Sequence, residues 1–181
     1  VVSLAVLAGS WRAALGHRVG PRELRLFRAV NDATDAVRVP LWLVMQAGSF
    51  GAVWVAGALL WIADERASAV VTVVTGTAVW VGVKLVKPLV GRGRPADVLD
   101  GVRLRDTTAS GLGYPSGHAA VAVTLALVAT IGTAPGVQLA AVLVAGSTGV
   151  ARVYVGAHLP LDVAGGFAIG GVLGSVVALM A

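Results

Sequence analysis

Four long stretches of this chain carry no Lys, Arg, Asp or Glu: Leu41 to Ala63, Ala67 to Val83, Thr107 to Ala151 and Val163 to Ala181. An uncharged apolar run of about 18 residues or more reads as a helix that satisfies its own backbone in lipid. One such run could be a buried helix of a soluble protein, but four together could not. Charged residues make up 13% of the 181 residues, against about 25% in soluble domains, and the mean hydropathy is +0.86. The fold class expected is all-α: a polytopic transmembrane bundle of five to six spans. There are no cysteines, which removes disulfides, thiolate metal sites and thiol nucleophiles.

The spans are expected over about Leu41–Ile62, Ala67–Val86, Ser116 to the Thr133–Gly136 turn, Val137–Val155, and Leu161 to the C-terminus. Val1 to Gly9 is apolar but too short to cross a bilayer by itself. No basic stretch precedes it, so a cleaved signal peptide is not expected. Between Gly16 and Pro40, Leu24, Phe27, Val30 and Val37 recur at roughly helical spacing among Arg22, Arg25, Arg28 and Asp32. That pattern predicts an amphipathic interfacial helix. No repeat or low-complexity linker divides the chain, so residues 1–181 are read as a single membrane-embedded domain, either whole or part of a longer chain. Abundant small residues, Gly146, Gly149, Gly165, Gly166, Gly170, Gly171 and Gly174 among them, suit close helix approach in lipid.

Up-and-down topology brings three polar segments to one membrane surface. The first, Lys87 to Pro95, holds Lys87 and Arg94 seven positions apart in a stretch made irregular by Pro88, Gly91 and Gly93. The second, Tyr114-Pro-Ser-Gly-His118, stands just before an apolar helix, with Ser116 as its N-cap. A helix N-terminus offers unpaired N–H groups and a positive dipole end, hence an anion site, and Gly117 lets an anion approach the backbone. The third, Arg152 to Asp162, offers a guanidinium, the His158 imidazole and a carboxylate.

These segments resemble the type 2 phosphatidic acid phosphatases, a family that shares its site with the vanadium haloperoxidases. The family pattern, Lys-x6-Arg-Pro, Pro-Ser-Gly-His and Ser-Arg-x5-His-x3-Asp, reads here as Lys87…Arg94-Pro95, Pro115-Ser116-Gly117-His118 and Ala151-Arg152…His158…Asp162. Ala151 replaces the usual serine and removes a hydroxyl beside Arg152. The resemblance implies that Lys87, Arg94, Arg152, Ser116 and the Gly117 N–H bind phosphate. It implies that His158 attacks phosphorus, that Asp162 orients His158, and that His118 protonates the leaving alkoxide and then activates water. Phosphoryl transfer asks mainly for positioning and positive charge around the phosphate oxygens. Three fixed cations can supply that charge, so neither a metal nor another cofactor is expected.

The expected partner is a lipid phosphate: phosphatidic acid, phosphatidylglycerol phosphate, or a polyprenyl phosphate or diphosphate. Vanadate is the expected inhibitor. The net charge of +5 lies between spans, which argues against nucleic acid and for contact with membrane lipids. A phosphotransferase passing the phosphoryl group to an alcohol, and a non-catalytic membrane module of a larger protein, are the competing readings. A soluble haloperoxidase is excluded by the four uncharged spans. His17, outside the motifs, is assigned to the interfacial segment. Asp97, Asp100 and Asp106 are read as solvated loop residues, and Trp42, Trp54, Trp61, Trp80 and Tyr154 as belt or packing groups. The expected location is a multi-pass membrane protein, in the plasma membrane if bacterial, with its site at one face. If the residues before Leu41 face the motif side, that side carries 13 of the 14 Lys and Arg, which would place it in the cytoplasm. The resemblance implies an outward-facing site, and the side stays open between the two.

Overall fold

The computed structural model describes residues 1–106 and 111–180. Those residues form helices and no strand: α1 Val2–Leu15, α2 Pro21–Asn31, α3 Arg38–Met45, α4 Phe50–Ile62, α5 Arg66–Val90, α6 Pro95–Val98, α7 Gly117–Val128, α8 Pro135–Tyr154 and α9 Pro160–Met180. Arg66–Val98, Pro135–Tyr154 and Pro160–Met180 are long and apolar enough to cross a membrane. The bent pair Asp35–Gly48 and Phe50–Ile62 qualifies as one further span. Val2–Leu15 and Gly117–Val128 are apolar but shorter.

The short helix α7 is the hub. Its Ala119, Ala120, Val121, Ala122, Thr124, Ala126 and Val128 are buried, and α5, α8 and α9 pack around it. Its closest neighbour is α9, and glycines make that approach possible. A Cβ at Gly166 would collide with the Ser116 carbonyl, and one at Gly170 with the Ala120 carbonyl. Thr124 Oγ1 donates to Ala120 O at 2.9 Å, so its hydroxyl is satisfied inside the bundle. With little hydrophobic drive between helices in lipid, such dispersion contacts at close range carry the association. Leu59, Leu85, Leu139 and Leu143 are exposed on the outside, as a lipid-facing surface requires.

Two sequence expectations change. The Leu41–Ile62 stretch is not one straight span: α3 and α4 meet at 68° across a 3₁₀ turn at Gln46–Gly48. Ser49 caps α4 by accepting from Ala52 N at 3.2 Å. Thr148 Oγ1 on α8 donates to the Val44 carbonyl at 3.1 Å, so a carbonyl near the break is satisfied within protein, as membrane depth demands. Gly48 approaches the His118 carbonyl so closely that a Cβ would collide with it. The elbow is therefore shaped by tertiary contact rather than by local sequence.

The second change concerns α2. Its buried face is Glu23, Phe27 and Asn31, while Leu24 and Val30 are half-buried and Val37 is exposed. Asn31 Nδ2 donates to Arg103 O at 3.0 Å and Tyr154 O at 2.9 Å, and Asn31 Oδ1 accepts from Arg103 N at 3.0 Å. Thus α2 buries polar groups against the bundle, while Arg22 and Arg25 stay exposed. Arg28 donates to the carbonyls of Asp100 and Gly101. Trp42, Trp54 and Trp61 face outward, whereas Trp80 stacks on Phe50 with centroids 4.3 Å apart and Tyr154 is fully buried.

Gly170→Ala should lower thermal stability in detergent by about 1–3 kcal/mol, the usual cost of forcing a methyl into a filled contact. Gly146→Ala, on a helix position with nothing within 4 Å of the added Cβ, should be neutral or stabilising. Equal melting temperatures for the two variants would show that the α7–α9 contact does not limit stability.

Candidate active site

Lys87 lies in the last turn of α5 rather than in a loop. Gly91, at φ +67°, ends the helix with its N–H on Lys87 O at 3.0 Å, a left-handed position that glycine adopts without steric cost. The four residues 107–110 of the expected polar loop lie outside the described residues. Its preceding part, from Val102 to Asp106, is laid against α2 and α8. Arg105 there donates to Asp35 Oδ1 at 2.7 Å and to the carbonyls of Asn31, Ala33 and Tyr154.

The three polar segments meet. Lys87 Nζ donates to Leu112 O at 2.8 Å and Gly113 O at 3.2 Å. Arg94 Nε and one terminal nitrogen donate to Gly111 O at 2.9 Å and Ala157 O at 2.8 Å. Ser116 N donates to the Asp162 carbonyl at 2.8 Å, and Ser116 Oγ caps α7 by accepting from Ala119 N. Gly117 is the first residue of α7, and His118 follows it. Arg152 closes α8 and is buried. One of its terminal nitrogens stands 3.0 Å from both Asp106 Oδ2 and Met45 Sδ, while its buried Nε has no hydrogen-bond partner among the described residues. Ala151 is fully buried in an apolar cluster with Met45, Tyr154, Val155 and Ala157.

His158, in the turn between α8 and α9, is almost wholly buried. Its Nδ1 stands 3.5 Å from Asp162 Oδ2, inside ion-pair range but not a formed hydrogen bond. Contacts of this kind tighten when a reacting complex forms. Burial, and then the charges of Arg152, Lys87 and Arg94 with His118 beyond them, hold its pKa well below the usual histidine value. The imidazole is therefore neutral at physiological pH and has a lone pair to offer. His118 lies within electrostatic range of Arg152, Asp106, Arg94 and Lys87.

Three participants went unseen in the sequence. Arg92, between the two motif cations, is buried, with one terminal nitrogen 3.0 Å from Glu23 Oε1 and 3.0 Å from Asp162 Oδ1. Its other terminal nitrogen reaches Glu23 Oε2 at 2.7 Å. Glu23 is the sole acid of α2 and falls in line with Phe27 and Asn31, a spacing that would have marked it. Asp106, read as a solvated loop residue, instead pairs with Arg152, because the loop folds back over the end of α8. Asp97 caps α6 by accepting from Arg94 N. His17 lies against Gly91 at the end of α5.

Arg92→Met should cost about 3–5 kcal/mol of stability, because it leaves Glu23 and Asp162 as buried carboxylates without their cation. A variant melting with the wild type in detergent would show that the guanidinium does not hold the site.

Known proteins resemble this chain in sequence and in fold. Residues 65–181 match the model of the PAP2 superfamily. Decaprenylphosphoryl-5-phosphoribose phosphatase of Mycobacterium tuberculosis is 39% identical over 93 residues, covering 51% of this chain and 50% of the relative. The match thus spans about half the length of that protein. LpxE of Aquifex aeolicus superposes with a TM-score of 0.73 at 27% identity, over 87% of this chain and 94% of that one. The first transmembrane PAP2 type phosphatidylglycerolphosphate phosphatase from Bacillus subtilis superposes with a TM-score of 0.77 over 98% and 94%. At 18% identity it speaks for the fold alone. With the family model covering well over half of its length, the chain belongs to the PAP2 superfamily.

Proposed function

We propose that residues 1–181 form one integral membrane domain that hydrolyses the phosphomonoester or diphosphate of a lipid through a phosphohistidine. The observation that carries this reading is the buried His158 with its Nδ1 3.5 Å from Asp162 Oδ2, where the segments bearing Lys87, Arg94, Ser116 and Arg152 are hydrogen-bonded together. Counting α1, the bent α3–α4 pair, α5, α7, α8 and α9 as crossings gives six spans, with α2 at the interface. The polyprenyl-linked substrate in the name of the mycobacterial relative favours a polyprenyl-type lipid phosphate over the other candidates. In a bacterial cell the domain would sit in the plasma membrane.

The chemistry follows from the placement. With Nδ1 turned to Asp162, Nε2 is the nitrogen left to attack. Its lone pair forms the N–P bond as the bond from phosphorus to the lipid oxygen breaks. His118, at the start of α7, gives a proton to the departing oxygen, which belongs to an alkoxide when the substrate is a monoester and to a lipid monophosphate when it is a diphosphate. It then takes a proton from the water that cleaves the N–P bond, which restores both histidines. Lys87, Arg94, Arg152, Ser116 and the Gly117 N–H take the equatorial oxygens, aided by the positive end of α7. Arg152 Nε, buried without a hydrogen-bond partner among the described residues, is a donor suited to such an oxygen.

In a phosphate-release assay with purified protein, His158→Ala should abolish hydrolysis without loss of folding, and His118→Ala should lower kcat by about 10²–10⁴-fold. Phosphate release at the wild-type rate by folded His158→Ala would remove the mechanism.

Vanadate should inhibit competitively and activity should persist in EDTA, since protein cations supply the charge. Arg152→Lys should weaken vanadate inhibition, because an ammonium lacks the two-pronged guanidinium contact. Activity lost in EDTA and restored by Mg²⁺ would contradict this, as would a vanadate complex with the anion away from His158.

A further inference from the structure

Among the described residues Glu23 hydrogen-bonds to Arg92 and Leu161, and it is tied to the nucleophile through a series of polar contacts. Its side chain is 7% exposed and that of Arg92 1%. Glu23 Oε1 accepts from Arg92 and from Leu161 N, each at 3.0 Å, and Oε2 accepts from Arg92 at 2.7 Å. Arg92 reaches on to Asp162 Oδ1 at 3.0 Å. Asp162 Oδ2 accepts from Leu159 N at 2.9 Å and stands 3.5 Å from His158 Nδ1. Residues from α2, from the turn after α5 and from the start of α9 thus form one buried cluster.

The charge of this cluster decides what it can do. Two carboxylates around one guanidinium leave a net charge of one negative beside His158. Were Glu23 neutral, the Arg92–Asp162 pair would be neutral overall, and Arg92 would oppose any new cation nearby. Such a cation forms when Nε2 bonds phosphorus: the ring keeps its Nδ1 proton, gains the phosphoryl group and becomes positive. In a buried site, fixed charge aimed at developing charge acts strongly. Hydrolysis of the intermediate discharges the ring, so the same field does not assist that step.

We propose that Glu23 is a positioning residue for phosphoryl transfer: by cancelling the charge of Arg92 it leaves Asp162 negative toward the cation that forms on His158. This rests on the reading of His158 as nucleophile. It predicts slower formation of the phosphoenzyme and no slowing of its breakdown.

The test uses the full chain in detergent with ³²P-labelled dioctanoyl phosphatidic acid or farnesyl phosphate, whichever the wild type turns over. Rapid quenching follows the acid-labile phosphoprotein. In Glu23→Gln, formation and kcat should fall about 10–100-fold, the size of effect that losing an outer partner has at metal-bound histidines. KM should hold and breakdown should not slow, so less phosphoenzyme accumulates at steady state. Loss in kcat with KM preserved marks an interaction made in the transition state. Glu23→Asp keeps the charge on a shorter stem and should restore most of the formation rate while melting below the wild type. Should Glu23→Gln not fold, Glu23→Asp against the wild type still decides, since a formation rate lost together with its stability would overturn the proposal. Wild-type formation by Glu23→Gln would do the same, as would equal slowing of both steps. If neither lipid is turned over, if the wild type forms no acid-labile label, or if the label survives in His158→Ala, the nucleophile assignment itself falls, and the proposal with it.

Discussion

A guanidinium taken out of water is tolerable only when its charge and donors are met, and in this protein the Arg92 guanidinium is met by two carboxylates from distant parts of the chain. Glu23 lies 69 positions away and Asp162 lies 70. Because an isolated buried charge is costly, the turn after α5 can settle in its observed place only when α2 and α9 are in theirs. The same requirement fixes the neighbourhood of His158, since Asp162 and Leu159 belong to that contact set. The turn ahead of α9 is thereby made rigid from both sides.

Around this polar knot the bundle obeys the constraint of lipid, where backbone groups must be satisfied by protein. The knot and the helix ends near it draw on one another. Ser116 N uses the Asp162 carbonyl, Lys87 and Arg94 use the carbonyls of residues 111–113 and 157, and Thr148 serves Val44 at the elbow. Away from that end the cohesion is different in kind. There α7 and α9 approach through glycines, and the gain is dispersion between surfaces in contact rather than polar pairing. Polar end and apolar shaft therefore answer different demands: one fixes charged groups in place, and the other holds the helices that carry them.

The cationic side chains near His158 already spend donors on protein. Lys87 gives two of its three protons to the carbonyls of Leu112 and Gly113, and Arg94 anchors the turns at residues 111 and 157. Such anchoring orients each cation before any ligand arrives, which lessens the rotamer freedom that binding would otherwise have to remove. Arg152 is held differently, by an acid from the loop, so its charge is already balanced in part.

The sequence by itself determined the membrane class and the approximate positions of α5, α7, α8 and α9. It also determined the convergence of Lys87, Arg94, Ser116, His118, Arg152, His158 and Asp162. Those are local matters, because a long uncharged run has one good solution in lipid and an up-and-down path brings alternate ends together. Only the tertiary structure decided the break between α3 and α4, since the elbow is set by Gly48 against His118 and by Thr148 reaching Val44. It alone paired Arg92 with Glu23 and Asp162, and Arg152 with Asp106. In sequence Arg92 is one more basic residue between two others, and Glu23 is an acid among arginines on a surface helix. A charge reads as solvated until the fold encloses it, and enclosure depends on which distant helix arrives beside it.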